Sequence, residues 1–137
     1  MSSASHNKAL LQSVFAETAK GNGRPFVDLL SDDVRWTIIG TTAWSRTYSG
    51  KHAVVKELLG PLSAQLGASN VITAKRFIAE DDLAVVEGEG HNHTASGKPY
   101  ANSYCWVFRF REGRVIELTE YTDTALIDST LEAPLRA

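Results

Sequence analysis

Leu10, Leu11, Val14 and Phe15, continued by Thr18, recur at helical spacing between about residues 5 and 20, and Gly21-Asn22-Gly23 stops the run. Pro25 suits the first turn of a short second helix that carries Phe26, Val27, Leu29 and Leu30. Over residues 34–39 the period changes to two. Val34, Trp36 and Ile38 share one face of a strand, with Trp36 expected inward, and Arg35, Thr37 and Ile39 share the other. Residues 40–50 read as an irregular loop or short hairpin, whose Trp44 and Tyr48 either gate a pocket rim or pack. A third helix over about residues 52–66 sets Val55, Leu58, Leu59 and Leu62 on one side, and Pro61 should kink it or end it near Gly60. Residues 71–79 and 83–93 read as strands joined by Glu80-Asp81-Asp82, and residues 125–137 as a short helix and tail.

Two further runs rich in aromatic and β-branched residues flank Arg111-Glu112-Gly113 and predict a hairpin. A two-residue turn would set Phe108 opposite Glu117 and Trp106 opposite Thr119, mixing large apolar and polar groups on both faces. A three-residue loop with Gly113 as a bulge sets Phe108 opposite Ile116, Trp106 opposite Leu118, Tyr104 opposite Glu120 and Asn102 opposite Thr122. One face is then apolar up to a polar group at its far end, the pattern of a small-molecule pocket. In the preceding strand, one register places Gly88 under Trp106 and Gly90 under Tyr104, with Glu87, Glu89, His91 and His93 outward. A slip of one residue would swap those sets and bring His91 into the pocket. The glycine-in register is preferred because it avoids burying two carboxylates and two imidazoles.

The 137 residues fit one domain over residues 1–137, and the elements make it α+β. A charged fraction of 22% and a net charge of −2 carry no basic stripe, which disfavours nucleic acid as a partner. The single cysteine, Cys105, excludes an internal disulfide and a cysteine-rich metal site. The start of the chain lacks a basic region followed by an apolar run, and no stretch approaches the roughly 18 apolar residues of a membrane span. A cytoplasmic protein without membrane contact is therefore expected.

The run Y-x-N-x-Y-x-x-V-F-R-F-x-x-G-R-V-x-E-x-x-E-Y-x-D-T, residues 100–124, is similar to the closing hairpin of the SnoaL-like, ketosteroid-isomerase-like proteins of the nuclear transport factor 2 superfamily. The resemblance extends loosely over the whole chain. It implies an α+β cone, with N-terminal helices across the concave face of a curved, mostly antiparallel sheet, and hence Phe15 and Phe26 either on the cavity or in plain core. The superfamily holds isomerases, cyclases, epoxide hydrolases, dehydratases and proteins that only bind, so the fold does not set the activity.

Glu120 is the first candidate for chemistry, near the end of the last strand beside Tyr104, Trp106 and Trp36. A desolvated carboxylate there has a raised pKa that suits proton transfer near neutrality; the alternative is a carboxylate that stabilises the mouth. In the resemblance, Glu120-Tyr121-Thr122-Asp123 stands where epoxide hydrolases and polyketide cyclases place an acid-Tyr-x-Asp string, with Glu replacing Asp. Asp123, on the opposite face, reads as a pairing or capping group. Tyr104 would polarise a substrate oxygen or bond to Glu120, and Asn102 would orient a carbonyl or fix its loop. His91 is a catalytic candidate only if the strand slips, and with His93 it offers two metal ligands without a third at defensible spacing. Trp36, Trp106 and Phe15 would hold the ligand. The chain departs from the isomerases in having Ile38-Ile39-Gly40 where they carry their base, and from the epoxide hydrolases in having Gly88 and Gly90 where they pair Arg with Asp. The reading is a cofactor-independent, metal-free acid/base enzyme on a small apolar oxygenated molecule, or a binding or association domain. A homodimer through the face of Val107, Thr119 and Tyr121 is expected.

Overall fold

A computed structural model of the chain describes residues 3–67 and 69–134. The helices α1 (Ser3–Thr18) and α2 (Arg24–Leu29) lead into β1 (Leu30–Ile38) and the short β2 (Thr47–Ser49). A helical run follows: α3 (Lys51–Ala53), a π-helical segment (Val54–Leu59) and α4 (Gly60–Gln65). Then come β3 (Ile72–Glu80), β4 (Leu83–Gly90), the small pair β5 (Asn92–His93) and β6 (Pro99–Tyr100), β7 (Ser103–Arg111), β8 (Arg114–Thr122) and α5 (Thr124–Thr130). Residues 135–137 of the expected tail lie outside the described residues.

Six strands form one sheet in the order β2-β1-β8-β7-β4-β3, antiparallel except where β1 runs parallel to β8. Its concave face carries the row Ile38, Glu120, Trp106, Val86 and Phe77, and beside it the row Trp36, Leu118, Phe108, Ala84 and Ala79. Phe15 of α1 seats against this face, its ring 5.3 Å from Trp106 and 6.4 Å from Phe108. The described helices and strands thus form the expected α+β arrangement.

The closing hairpin corrects the expected loop. Glu112 and Gly113 form a two-residue turn with φ of 50° and 77°, and the extra residue sits later, at Ile116, between the pairs Phe110–Val115 and Arg109–Glu117. Trp106 therefore pairs with Glu120, Phe108 with Leu118 and Tyr104 with Thr122. The slip from expectation is two residues, so Tyr104, Trp106, Phe108, Leu118 and Glu120 keep their face, while the bulge turns Val115 inward beside Phe110. The same holds in β4: Gly88 pairs with Tyr104 and Val86 with Trp106, yet both glycines still face inward.

Pro61 neither ends nor sharply breaks the third helical run. The π-helical segment ahead of it, with Gly60 N–H donating to the Val55 carbonyl, widens the turn and carries the chain on to Gln65. Trp44 and Tyr48 are buried rather than exposed at a rim, the Tyr48 hydroxyl donating to the Trp44 carbonyl at 2.8 Å. No helix among the described residues is long and apolar enough to cross a membrane.

Candidate functional site

A cavity of about 670 Å³ opens between the concave sheet and the helices. The sheet supplies Trp36, Ile38, Tyr104, Trp106 and Glu120; α1 and α2 supply Phe15 and Phe26; the π-helical segment supplies Leu58 and Leu59, and α4 supplies Leu62. Ile127 of α5 and Leu131 after it close one side. That closure is tied down by hydrogen bonds from Trp44 Nε1 and Gln65 Nε2 to the Glu132 carbonyl, both at 2.9 Å. Asp123 caps α5, its carboxylate accepting from Leu126 N–H at 3.2 Å, the role its place after the last strand suggested.

Glu120 is the one buried carboxylate among the described residues, at 8% exposure. Burial pushes its carboxyl up to about 7, against the pull of the Trp106 and Trp36 indole N–H groups. Trp106 Nε1–H donates to Glu120 Oε1 at 3.0 Å. Trp36 Nε1–H acts on the same carboxyl without reaching hydrogen-bond geometry, and it has no hydrogen-bond partner among the described residues.

The Tyr104 ring stacks on Trp106, with centroids 4.6 Å apart and planes 11° from parallel. Gly88 and Gly90 make this possible. A Cβ at Gly88 would lie 2.8 Å from the Thr73 carbonyl and 3.0 Å from Trp106 Cζ3, and one at Gly90 would lie 3.4 Å from the Tyr104 ring. Burial, then the neighbouring Tyr100 and Glu120, raises the Tyr104 hydroxyl well above its ordinary pKa, so it is a neutral donor at physiological pH. Its partner group is Tyr100, not the carboxyl of Glu120.

Asn102 and His91 do not reach the cavity. Asn102 is 0% exposed and is consumed by its own loop: Nδ2 donates to Tyr100 Oη at 3.1 Å and to the Asp123 carbonyl at 3.2 Å, while Oδ1 accepts from Ser103 and Asp123 N–H. Its side chain holds the Tyr100 hydroxyl and does not line the cavity. His91 is exposed on the outer face and hydrogen-bonds Thr73 Oγ1 at 2.8 Å, because the glycine-in register turns it away. Among the described residues no cluster of three potential metal ligands includes it or His93.

Tyr100 is the cavity residue that sequence reasoning missed. It is buried on the cavity wall, burial raises its hydroxyl pKa, and it couples to Tyr104. The alternation Tyr100, Asn102, Tyr104 was the available signal, but the break between β6 and β7 withdraws Asn102 from the wall and leaves Tyr100 on it. Trp44 is likewise on the wall, donating its indole N–H away from the cavity.

The model of the SnoaL-like domain matches residues 11–118. Among solved structures, Bal32a from a soil-derived mobile gene cassette superposes with a TM-score of 0.81 at 20% identity, covering 94% of this chain and 98% of that one. A candidate SnoaL-like polyketide cyclase from Jannaschia sp. CCS1 gives 0.77 at 15% identity, covering 98% of each chain. TerC, co-crystallised with polyporic acid, gives 0.75 at 18% identity, covering 90% of this chain and 96% of that one. Identities this low speak to the fold alone. No curated protein matches the chain. With the family model spanning most of its length and the cone, cavity and hairpin in place, this chain belongs to the SnoaL-like domain family of the nuclear transport factor 2-like fold.

Proposed function

We propose that the chain is a single-domain, cofactor-independent acid/base enzyme that moves a proton on a small, largely apolar, oxygenated molecule. The observation that carries this reading is a buried carboxyl with a pKa near 7 on the wall of an aromatic cavity. Such a group exists in both protonation states at neutral pH and can give or take a proton without strong driving force either way. Glu120 is the proton carrier; the neutral hydroxyls of Tyr104 and Tyr100 polarise the reacting oxygen; Trp106 and Phe15 hold the carbon frame. The reaction belongs to the isomerisation, cyclisation, dehydration or hydrolysis classes. The candidate cyclase and the polyporic acid complex among similar structures favour an oxygenated cyclic molecule. We place the enzyme in the cytoplasm, as a homodimer.

The test is turnover by wild type and Glu120→Gln over a panel of cyclic ketones, enols and epoxides. The Gln variant keeps shape and the Trp106 hydrogen bond and loses only the titrating proton. A loss of about 10²–10⁴ in kcat, with KM little changed, is expected. Unchanged kcat would remove Glu120 from the chemistry. A binding-only reading is favoured by one observation, the absence of a second buried carboxylate among the described residues. It predicts micromolar binding without turnover for both proteins.

A further inference from the structure

The Trp36 indole N–H is buried, in a residue 6% exposed, and no described residue accepts its hydrogen bond. A buried donor left unpaired forfeits its hydration without return, so an orphan of this kind calls for a partner. The other indoles of the wall are engaged: Trp44 Nε1 with the Glu132 carbonyl and Trp106 Nε1 with Glu120. Trp36 is also held in place. It sits mid-strand in β1, paired with Tyr48 on one side and Leu118 on the other, and its ring lies against Phe26 at 5.6 Å. It lines the same cavity as Glu120, on whose carboxyl it acts from short of hydrogen-bond geometry.

Resting on the acid/base reading above, we propose that Trp36 Nε1–H is the donor for an acceptor oxygen of the ligand. A ketone carbonyl bound at the Glu120 end of the cavity fits that donor. An indole offers a donor and no acceptor, so an ammonium group finds no complement in it. The same carbonyl lies beside a carboxyl that, when neutral, donates a second hydrogen bond to it. Trp36 thus chooses which end of the molecule faces the proton carrier, a task that the aromatic faces around it cannot perform.

The test uses fluorene and 9-fluorenone, one tricyclic frame without and with an acceptor oxygen, titrated into ¹⁵N-labelled wild type and Trp36→Phe. The three tryptophan indole N–H resonances are followed, and the one missing in the variant is Trp36. Fluorenone should move that resonance downfield and bind about tenfold more tightly than fluorene to wild type. The variant should hold fluorene within about twofold of wild type and lose the preference for the ketone. A silent Trp36 resonance while fluorenone binds, or an equal preference in the variant, overturns the proposal and leaves a trapped water as the partner of the N–H. Failure of both probes to bind overturns the ligand cavity itself and the proposal with it. Neither readout requires turnover, so a failure confined to Trp36 leaves the role of Glu120 to its own kinetic test.

Discussion

At the scale of single residues, the burial of Glu120 couples the stability of the fold to pH. Burial raises its pKa from 4.5 to about 7, which means the folded chain disfavours the ionised form. Below pH 4.5 the carboxyl is protonated in folded and unfolded chains alike, and no penalty exists. Between 4.5 and 7 the unfolded chain gives up the proton while the folded chain keeps it, so stability falls as pH rises; above about 7 the loss is complete. Its size is on the order of 3 kcal/mol. Glu120→Gln should therefore be no more stable than wild type at pH 4, and more stable by roughly that amount at pH 8, in urea unfolding at the two pH values. Equal stabilities at pH 8 would show that the carboxyl is solvated and its pKa ordinary. A residue that costs stability at working pH is what a functional carboxyl in an apolar wall looks like.

At the scale of elements, the concave face was legible in the sequence because strand parity is a stronger constraint than register. The apolar residues of the closing hairpin alternate, so any pairing that keeps them together must slip by an even number. The expected and observed pairings differ by two in both β7–β8 and β4–β7, and Trp106, Tyr104 and Glu120 stay on one face throughout. What parity could not show was how the extra residue is absorbed, since a bulge in the turn and one at Ile116 satisfy the same alternation. Tyr100 and the π-helical run were hidden for a related reason: both depend on departures from regular periodicity, at the β6–β7 break and at Pro61, where counting residues no longer fixes direction. The inward glycines give a test at this scale. In Gly88→Ala the new methyl meets backbone at Thr73, which cannot yield, and the edge of Trp106, which can. The variant should lose about 1–3 kcal/mol. Displaced Trp106 should also weaken its hydrogen bond to Glu120, so the Glu120 titration, followed by NMR, should move further upward. Gly23→Ala, where the methyl meets nothing within 4 Å, is the control and should change neither. An unmoved Glu120 titration in Gly88→Ala would show that the glycine serves the sheet alone.

At the scale of the whole molecule, the convex face of the sheet is where the proposed homodimer would pack. Its register row runs Thr47, Thr37, Thr119, Val107, Val85 and Ile78 across all six strands, with Cys105 and Tyr121 on the same face and Ile78 and Tyr121 about half exposed. Ion pairs border the row rather than cross it: Arg76 with Glu87, and Arg109 with Asp82 and Glu117. Four gaps of about 4.8 Å between strands roughly 30 Å long, with one short step to the three-residue β2, give a face on the order of 600 Å². That is at the lower end of the roughly 800 Å² per partner of a standard interface. A two-fold axis near Val107 would bring the row against itself, apolar centre on apolar centre, with the ion pairs as a polar rim. Val107→Glu should then place like charges near the axis and turn the dimer into a monomer by sedimentation at micromolar concentration. Because the side chain points out of the core, the variant's circular dichroism should be unchanged. It should also keep a cavity that binds ligand, since that cavity lies on the other face of the sheet. A wild type that sediments as a monomer at tens of micromolar would overturn the dimer. Loss of ligand binding in a folded monomeric variant would instead show that the second copy holds the concave wall in shape through the sheet they share.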